Sequence, residues 1–255
     1  MSESVIYCEG YHDRAFWMGW LGHLGCVDPG APHPGRTGRI PIYDPWNTLV
    51  SGGQYAYHSR SGQFIRVVPC HGKPKILPLV RIRLGQRSSK AVLRLVINID
   101  SDLNASGGRV GASGLQRQDV EQMVRTFDPS AAVNADGEIE LDGGITKVSL
   151  VRWEVSDPPA QGLPDQQTLE RLASAALAAA YPPRAASVQH WLDARPMPPG
   201  ADPKEHAWSY MAGWYAEHGC EAFYSNLWND PQVVAELSAR LQSSGAWQIA
   251  AALAS

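Results

Sequence analysis

The sequence predicts an α/β fold, a mostly parallel sheet flanked by helices. Three observations carry the prediction. The run VLRLVINI at 92–99 is apolar on both faces, as suits a strand buried between two helical layers. The opening SVIYCEGYHDRAFW passes from a short buried strand straight into an amphipathic helix. Strand and helix patterns then alternate through the first 155 residues, the signature of helices covering a sheet.

In chain order, residues 4–9 read as a strand, Gly10 permits a turn, and a helix follows over 12–24. From 28 to 62 the chain is rich in Gly and Pro (DPGAPHPGRTG, DPWN, SGGQ) and reads as an irregular insertion or lid. Strands are predicted at 63–68, 76–84 and 92–99, then a helix over 115–126 and a strand over 145–155. The remainder reads as helical: QQTLERLASAALAAAY, a Pro-rich break at 195–203, and helices over 203–218 and 231–253. This divides the chain into a core, 1–155, with an insertion at about 27–90, and a helical C-terminal extension, 156–255, packed on it.

A length of 255 residues with 44% hydrophobic content supports a substantial core without disulfides. The cysteines Cys8, Cys26, Cys70 and Cys220 show no zinc-knuckle spacing and are read as reduced. The N-terminus lacks a basic region leading into an apolar stretch, and the alanine-rich run at 172–180 is far shorter than the roughly 20 residues of a membrane span. A cytoplasmic location with no membrane role is expected.

The net charge of -3 conceals an imbalance. Between Pro45 and Ile99 there is no Asp or Glu, yet Arg60, Arg66, Lys73, Lys75, Arg81, Arg83, Arg87, Lys90 and Arg94 give +9, so the rest of the chain carries -12. Such a segment would attract a phosphate backbone. Arg60, Arg66, Lys73, Lys75, Arg81 and Arg83 are the expected nucleic-acid contacts, with Arg81 and Arg83 on one face of the strand predicted at 76–84. Tyr55, Tyr57 and Phe64 interleave with Arg60 and Arg66 and are candidates for stacking on unpaired bases.

Asp100 and Asp102 lie two residues apart where the strongest strand ends, so they point to one side and could hold a cation between them. Glu9 ends another predicted strand, and ligands of open α/β sheets bind at the carboxyl ends of strands. Asp13 falls in the first turn of the following helix, where it could also serve as a helix-start residue. Four carboxylates in one small volume would repel strongly without divalent cations, and an all-oxygen ligand set favours Mg²⁺ or Mn²⁺.

These segments resemble a known family. VIYCEGYHDRAFW is similar to the Toprim signature, a strand ending in Glu-Gly with an Asp three residues later, and LVINIDSDLN is similar to its Asp-x-Asp strand. The Toprim fold is shared by topoisomerases, bacterial primases, a ribosomal-RNA-maturing nuclease and the OLD (overcoming lysogenization defect) nucleases. The resemblance covers roughly residues 4–155, with one departure: Glu9 and Asp100 stand 91 residues apart, which places the basic segment inside the core. Thr168-Leu169-Glu170 and Lys204 resemble the later Ser/Thr-x-Glu element and lysine of the OLD type. Glu154, at the end of the strand predicted over 145–155, competes with Glu170 for the third acidic position.

The resemblance implies a two-metal phosphodiesterase. One ion would activate water and the other would stabilise the leaving oxygen, the two about 4 Å apart. Glu9, Asp100 and Asp102 would be central ligands, Asp13 and Glu170 would assist the second site, and Lys204 would offset transition-state charge. DNA or RNA is the expected partner, and an ATPase is a further one because OLD-type nucleases commonly work with one. The alternative is a non-catalytic Toprim module that binds nucleic acid or such an ATPase. The glycines of SGGRVGASG lack the Lys-Ser/Thr ending of a phosphate loop, and Cys70-His71 lacks a positioned acid, so neither suggests another chemistry.

Overall fold

A computed structural model describes residues 2–31, 38–101, 115–157, 166–194 and 220–255. Asp102, Lys204, the glycine loop at 106–114 and the helix predicted over 203–218 lie outside the described residues. The chain divides into two compact units, each discontinuous in sequence. The first comprises Met1–Ile99, Leu115–Val151 and Gln248–Ser255; the second comprises Asp100–Gly114 and Arg152–Trp247.

The first unit is built on a seven-stranded mixed sheet. In chain order its strands are β1 (Ser2–Cys8), β2 (Tyr55–His58), β3 (Phe64–Pro69), β4 (Ala91–Asp100), β5 (Ala132–Val133), β6 (Ile139–Leu141) and β7 (Thr146–Trp153). They lie side by side as β2-β3-β1-β4-β7-β6-β5. β1 pairs in parallel with both β3 and β4, with Cys8 opposite Pro69 on one side and Asn98 on the other. β2 is antiparallel to β3, and β5, β6 and β7 form an antiparallel meander at the other edge.

Helices cover both faces. Helix α1 (Tyr11–His23) buries Phe16, Trp17 and Trp20 on one side, where Trp17 Nε1 donates to Asn98 Oδ1 at 2.9 Å. Helices α2 (Ile76–Gly85) and α3 (Arg117–Arg125) close the other side over Val5, Tyr7, Leu95, Ile97 and Ile99. Successive β4 residues thus serve two cores, as its apolar run predicted.

The strand predicted over 76–84 is instead helix α2, and Arg81 and Arg83 therefore do not share a strand face. Its buried residues Ile76, Val80, Arg83 and Leu84 follow helical spacing, and Pro78 falls in the first turn, where a missing N–H costs little. Parallel strands also require a long crossover, usually a helix, and α2 is the crossover from β3 to β4. The segment at about 27–90 is accordingly part of the sheet unit, and residues 28–62 include the edge strand β2.

In the second unit, described residues form α4 (Leu169–Ala180), α5 (Pro182–Asp193), α6 (Cys220–Asn226) and α7 (Pro231–Ser243). Helix α4 packs on α7, and the Asp157 carboxylate pairs with Arg240. The helix predicted over 231–253 is two helices, because Gly245, with φ of 77°, ends α7 before α8 (Ala246–Ala254). The end of α8 belongs to the sheet unit, where Ala254 O accepts from Arg60 N–H. Among the described residues, no helix is long and apolar enough to cross a membrane.

Candidate functional site

In the sheet unit, Glu9 follows β1 immediately. Its carbonyl accepts Gly72 N–H at 2.9 Å and its carboxylate lies 3.7 Å from Lys73 Nζ. The turn after β3 is folded onto the end of β1: Cys70 N–H donates to Cys8 O, while His71 and Gly72 adopt positive φ of 58° and 109°. A left-handed non-glycine residue beside Glu9 is the kind of local cost that persists where the surroundings enforce it. Lys73 was expected to meet phosphate; it stands beside an expected metal ligand.

Asp13 is buried and occupies the third position of α1, where its Oδ2 accepts Gly10 N–H at 2.9 Å. This satisfies one of the helix's unpaired N–H groups and sets a negative charge at the positive end of its dipole. The same carboxylate bears on two buried thiols. Burial first, and Asp13 second, push the Cys8 thiol far up and the Cys70 thiol up to about 12. Cys8, Cys26 and Cys70 are free thiols.

In the second unit, Asp100 is 4% exposed, and its Oδ1 accepts Leu169 N–H at 3.0 Å at the start of α4. Thr168 caps the same turn, its hydroxyl accepting Arg171 N–H, and Glu170 at the second helical position is 3% exposed. Thr168-Leu169-Glu170 is therefore joined to the Asp-x-Asp strand end by a direct bond. Glu154, the rival for the third acidic position, is partly exposed and paired with Arg152 at 3.2 Å. Among the described residues, no three His, Cys, Asp or Glu side chains group as a metal ion would require.

The basic segment divides in two. Arg66 Nη2 bridges Glu3 at 3.2 Å and Asp44 at 2.8 Å, and Arg83 also pairs with Glu3, which is fully buried. Burial works against the charge of Asp44, yet Thr48 and Trp46 N–H groups and the Arg66 guanidinium hold its carboxyl below the usual carboxylate range. Arg66 and Arg83 are thus committed to carboxylates, whereas Arg60, Lys75 and Arg81 are exposed. The stacking candidates Tyr57 and Phe64 are buried, and Tyr55 lies between the Arg14 and Arg39 guanidiniums at 4.4 and 4.9 Å.

Sequence reasoning missed Glu3, Asp44 and Asn98. Glu3 carried a signal, because a carboxylate on the same strand face as Val5 and Tyr7 must find a cation.

No protein-family model matches the chain, and no curated protein matches it. Among solved structures, the crystal structure of hypothetical protein PH0156 from Pyrococcus horikoshii OT3 is similar, with a TM-score of 0.57 at 17% identity over 100% of this chain and 99% of that one. This likeness concerns the α/β fold alone.

Proposed function

We propose that the chain is a divalent-metal-dependent nuclease of Toprim type, related in its motifs to the OLD nucleases. The reading rests on one observation above the motifs: the buried Asp100 carboxylate holds the N-terminus of α4 beside the buried Glu170. This supports Glu170 over the Arg152-paired Glu154 as the third acidic residue.

The donor chemistry fits a hard cation, since Glu9, Asp13, Asp100, Asp102 and Glu170 offer only oxygen. By the motif resemblance, these are the residues that would hold Mg²⁺ or Mn²⁺. When bound, such ions lower the pKa of a coordinated water and neutralise charge on the leaving oxygen. The chain's own residues do the rest. Helix N–H groups fix one oxygen each of Asp13 and Asp100, so these carboxylates are oriented before any ligand arrives. Lys73, beside Glu9, would offset charge on the scissile phosphate alongside Lys204. Arg60, Lys75 and Arg81 would meet the backbone of DNA or RNA.

A second reading is a non-catalytic module that binds nucleic acid or a partner ATPase. It is favoured by the lack of a three-ligand group among the described residues and by the capping duty of Asp13 and Asp100. Incubating the protein with labelled single-stranded and duplex DNA and RNA, with Mg²⁺, Mn²⁺ or chelator, separates the two. Metal-dependent cleavage supports the nuclease; binding without cleavage, with any ATPase encoded beside it also supplied, supports the module.

A further inference from the structure

The α2 face of the sheet holds a cavity of about 170 Å³ in which Glu3, Arg66 and Arg83 meet Gln54, Gln86 and Tyr7. We propose that this cavity binds a nucleobase. It takes the base edge against the two glutamine amides and the base face against Val68, Leu79 and Ile82.

Charge favours a neutral ligand over an anion. The two guanidiniums in the lining, Arg66 and Arg83, are paired with Glu3 in the lining and with Asp44 beside Arg66, so a phosphate or carboxylate would compete with carboxylates already in place. The arrangement suits an uncharged ligand rich in acceptors. Gln54 Oε1 accepts from Arg66 Nη1 at 3.3 Å, and Gln86 Oε1 accepts from Arg83 Nη1 at 3.1 Å. Both amides are thereby oriented, each with one lone pair of its carbonyl oxygen engaged and its N–H₂ group left as a donor.

One feature points to a ligand beyond the polar set. Ile82, at the same cavity, is a large apolar side chain left 60% exposed. Trp46 stands beside the group, 5.3 Å from the Arg83 guanidinium and 5.0 Å from Lys90 Nζ. The volume lies below the roughly 300–1,000 Å³ of drug-sized sites, so one ring system enters while sugar and phosphate stay outside. A protein that reads unpaired bases uses such apolar faces and amide edges.

The inference stands on the cavity and does not require hydrolysis. A base could come from a free nucleoside or from an unpaired strand, and one titration separates the sources. Metal-free protein in chelator is titrated with the four nucleosides, with ribose 5-phosphate, and with single-stranded oligonucleotides that do or do not carry an abasic position, followed by calorimetry and ligand-observed NMR. At least one nucleoside binds and ribose 5-phosphate does not. Gln86→Ala, at an exposed position, and Leu79→Trp, which fills the cavity, each weaken binding about tenfold or more while melting remains cooperative. A strand that binds more tightly than the nucleoside and loses the gain at an abasic position assigns the base to nucleic acid; equal affinity assigns it to a free nucleoside. The proposal is overturned if no nucleoside binds, if ribose 5-phosphate binds equally, or if both cavity variants bind like wild type. Failure of the nuclease reading leaves these results untouched.

Discussion

The Asp100 carboxylate accepts the backbone N–H of Leu169 at 3.0 Å, which makes a strand-end acid the anchor of a helix sixty-nine residues further on. The bond gives Asp100 a structural duty that can be measured apart from chemistry. Asp100→Ala removes the acceptor and should destabilise the protein by about 0.5–2 kcal/mol, the range for lost N-caps, whereas Asp100→Asn keeps an oxygen acceptor and should cost less. Urea denaturation of the two variants measures this; equal and negligible losses would remove the capping role.

Glu170→Gln should abolish metal-dependent cleavage, while Glu154→Gln, which alters a partly exposed pair with Arg152, should leave it near wild type. Parallel cleavage assays under one metal concentration decide this. The reverse pattern would move the third ligand to the end of β7.

Arg83→Ala should destabilise by about 3–5 kcal/mol, because it leaves a fully buried Glu3 without one of its two cations. Replacing Glu3 and Arg83 together by Met should recover much of that loss. Arg81→Glu, two residues away but exposed, should hardly alter the urea midpoint and should weaken nucleic-acid binding with a shallower salt slope. An Arg83→Ala protein as stable as wild type would contradict the buried network.

The buried thiols predict an alkaline weakness. The Cys70 thiol is raised from its ordinary 9 to about 12, so the native state keeps its proton where the unfolded chain has lost it. Stability should therefore be unaffected below about pH 8 and fall as pH rises from 9 toward 12, on the order of 1 kcal/mol per pH unit for this group. Cys70→Ala should show a shallower fall than wild type over that window. Identical pH profiles would mean that the thiol is not shielded.

Much of this architecture could be read from residues. The two-faced apolar run of β4 and the strand-to-helix passage at Gly10 correspond to elements found within a residue or two of their expected ends, and the helix expected from Gln166 begins three residues later, at Leu169. The 76–84 segment imitates a strand because Arg81 and Arg83 alternate with apolar residues. The crossover rule for parallel strands outweighs this alternation, but it applies only once β3 and β4 are known to be parallel. Arg66 and Arg83 show the same limit for the site. A count of positive charge cannot distinguish a phosphate contact from a partner for Glu3 or Asp44, since the partners lie 63, 22 and 80 residues away. The bond from Leu169 to Asp100 was likewise invisible, although the motif that contains it was not.

The central claim is tested most directly by cleavage of labelled single-stranded and duplex DNA and RNA by wild-type protein and Asp100→Asn, each with Mg²⁺, Mn²⁺ or chelator. Wild type should cleave at least one substrate only with metal. Asp100→Asn should retain its fold and its nucleic-acid affinity but lose cleavage by about two orders of magnitude or more, as expected when a group acting in the transition state is removed. Wild-type protein that binds nucleic acid but cuts none of these substrates under any metal, with or without an ATPase encoded beside it, would contradict the nuclease and leave the binding module.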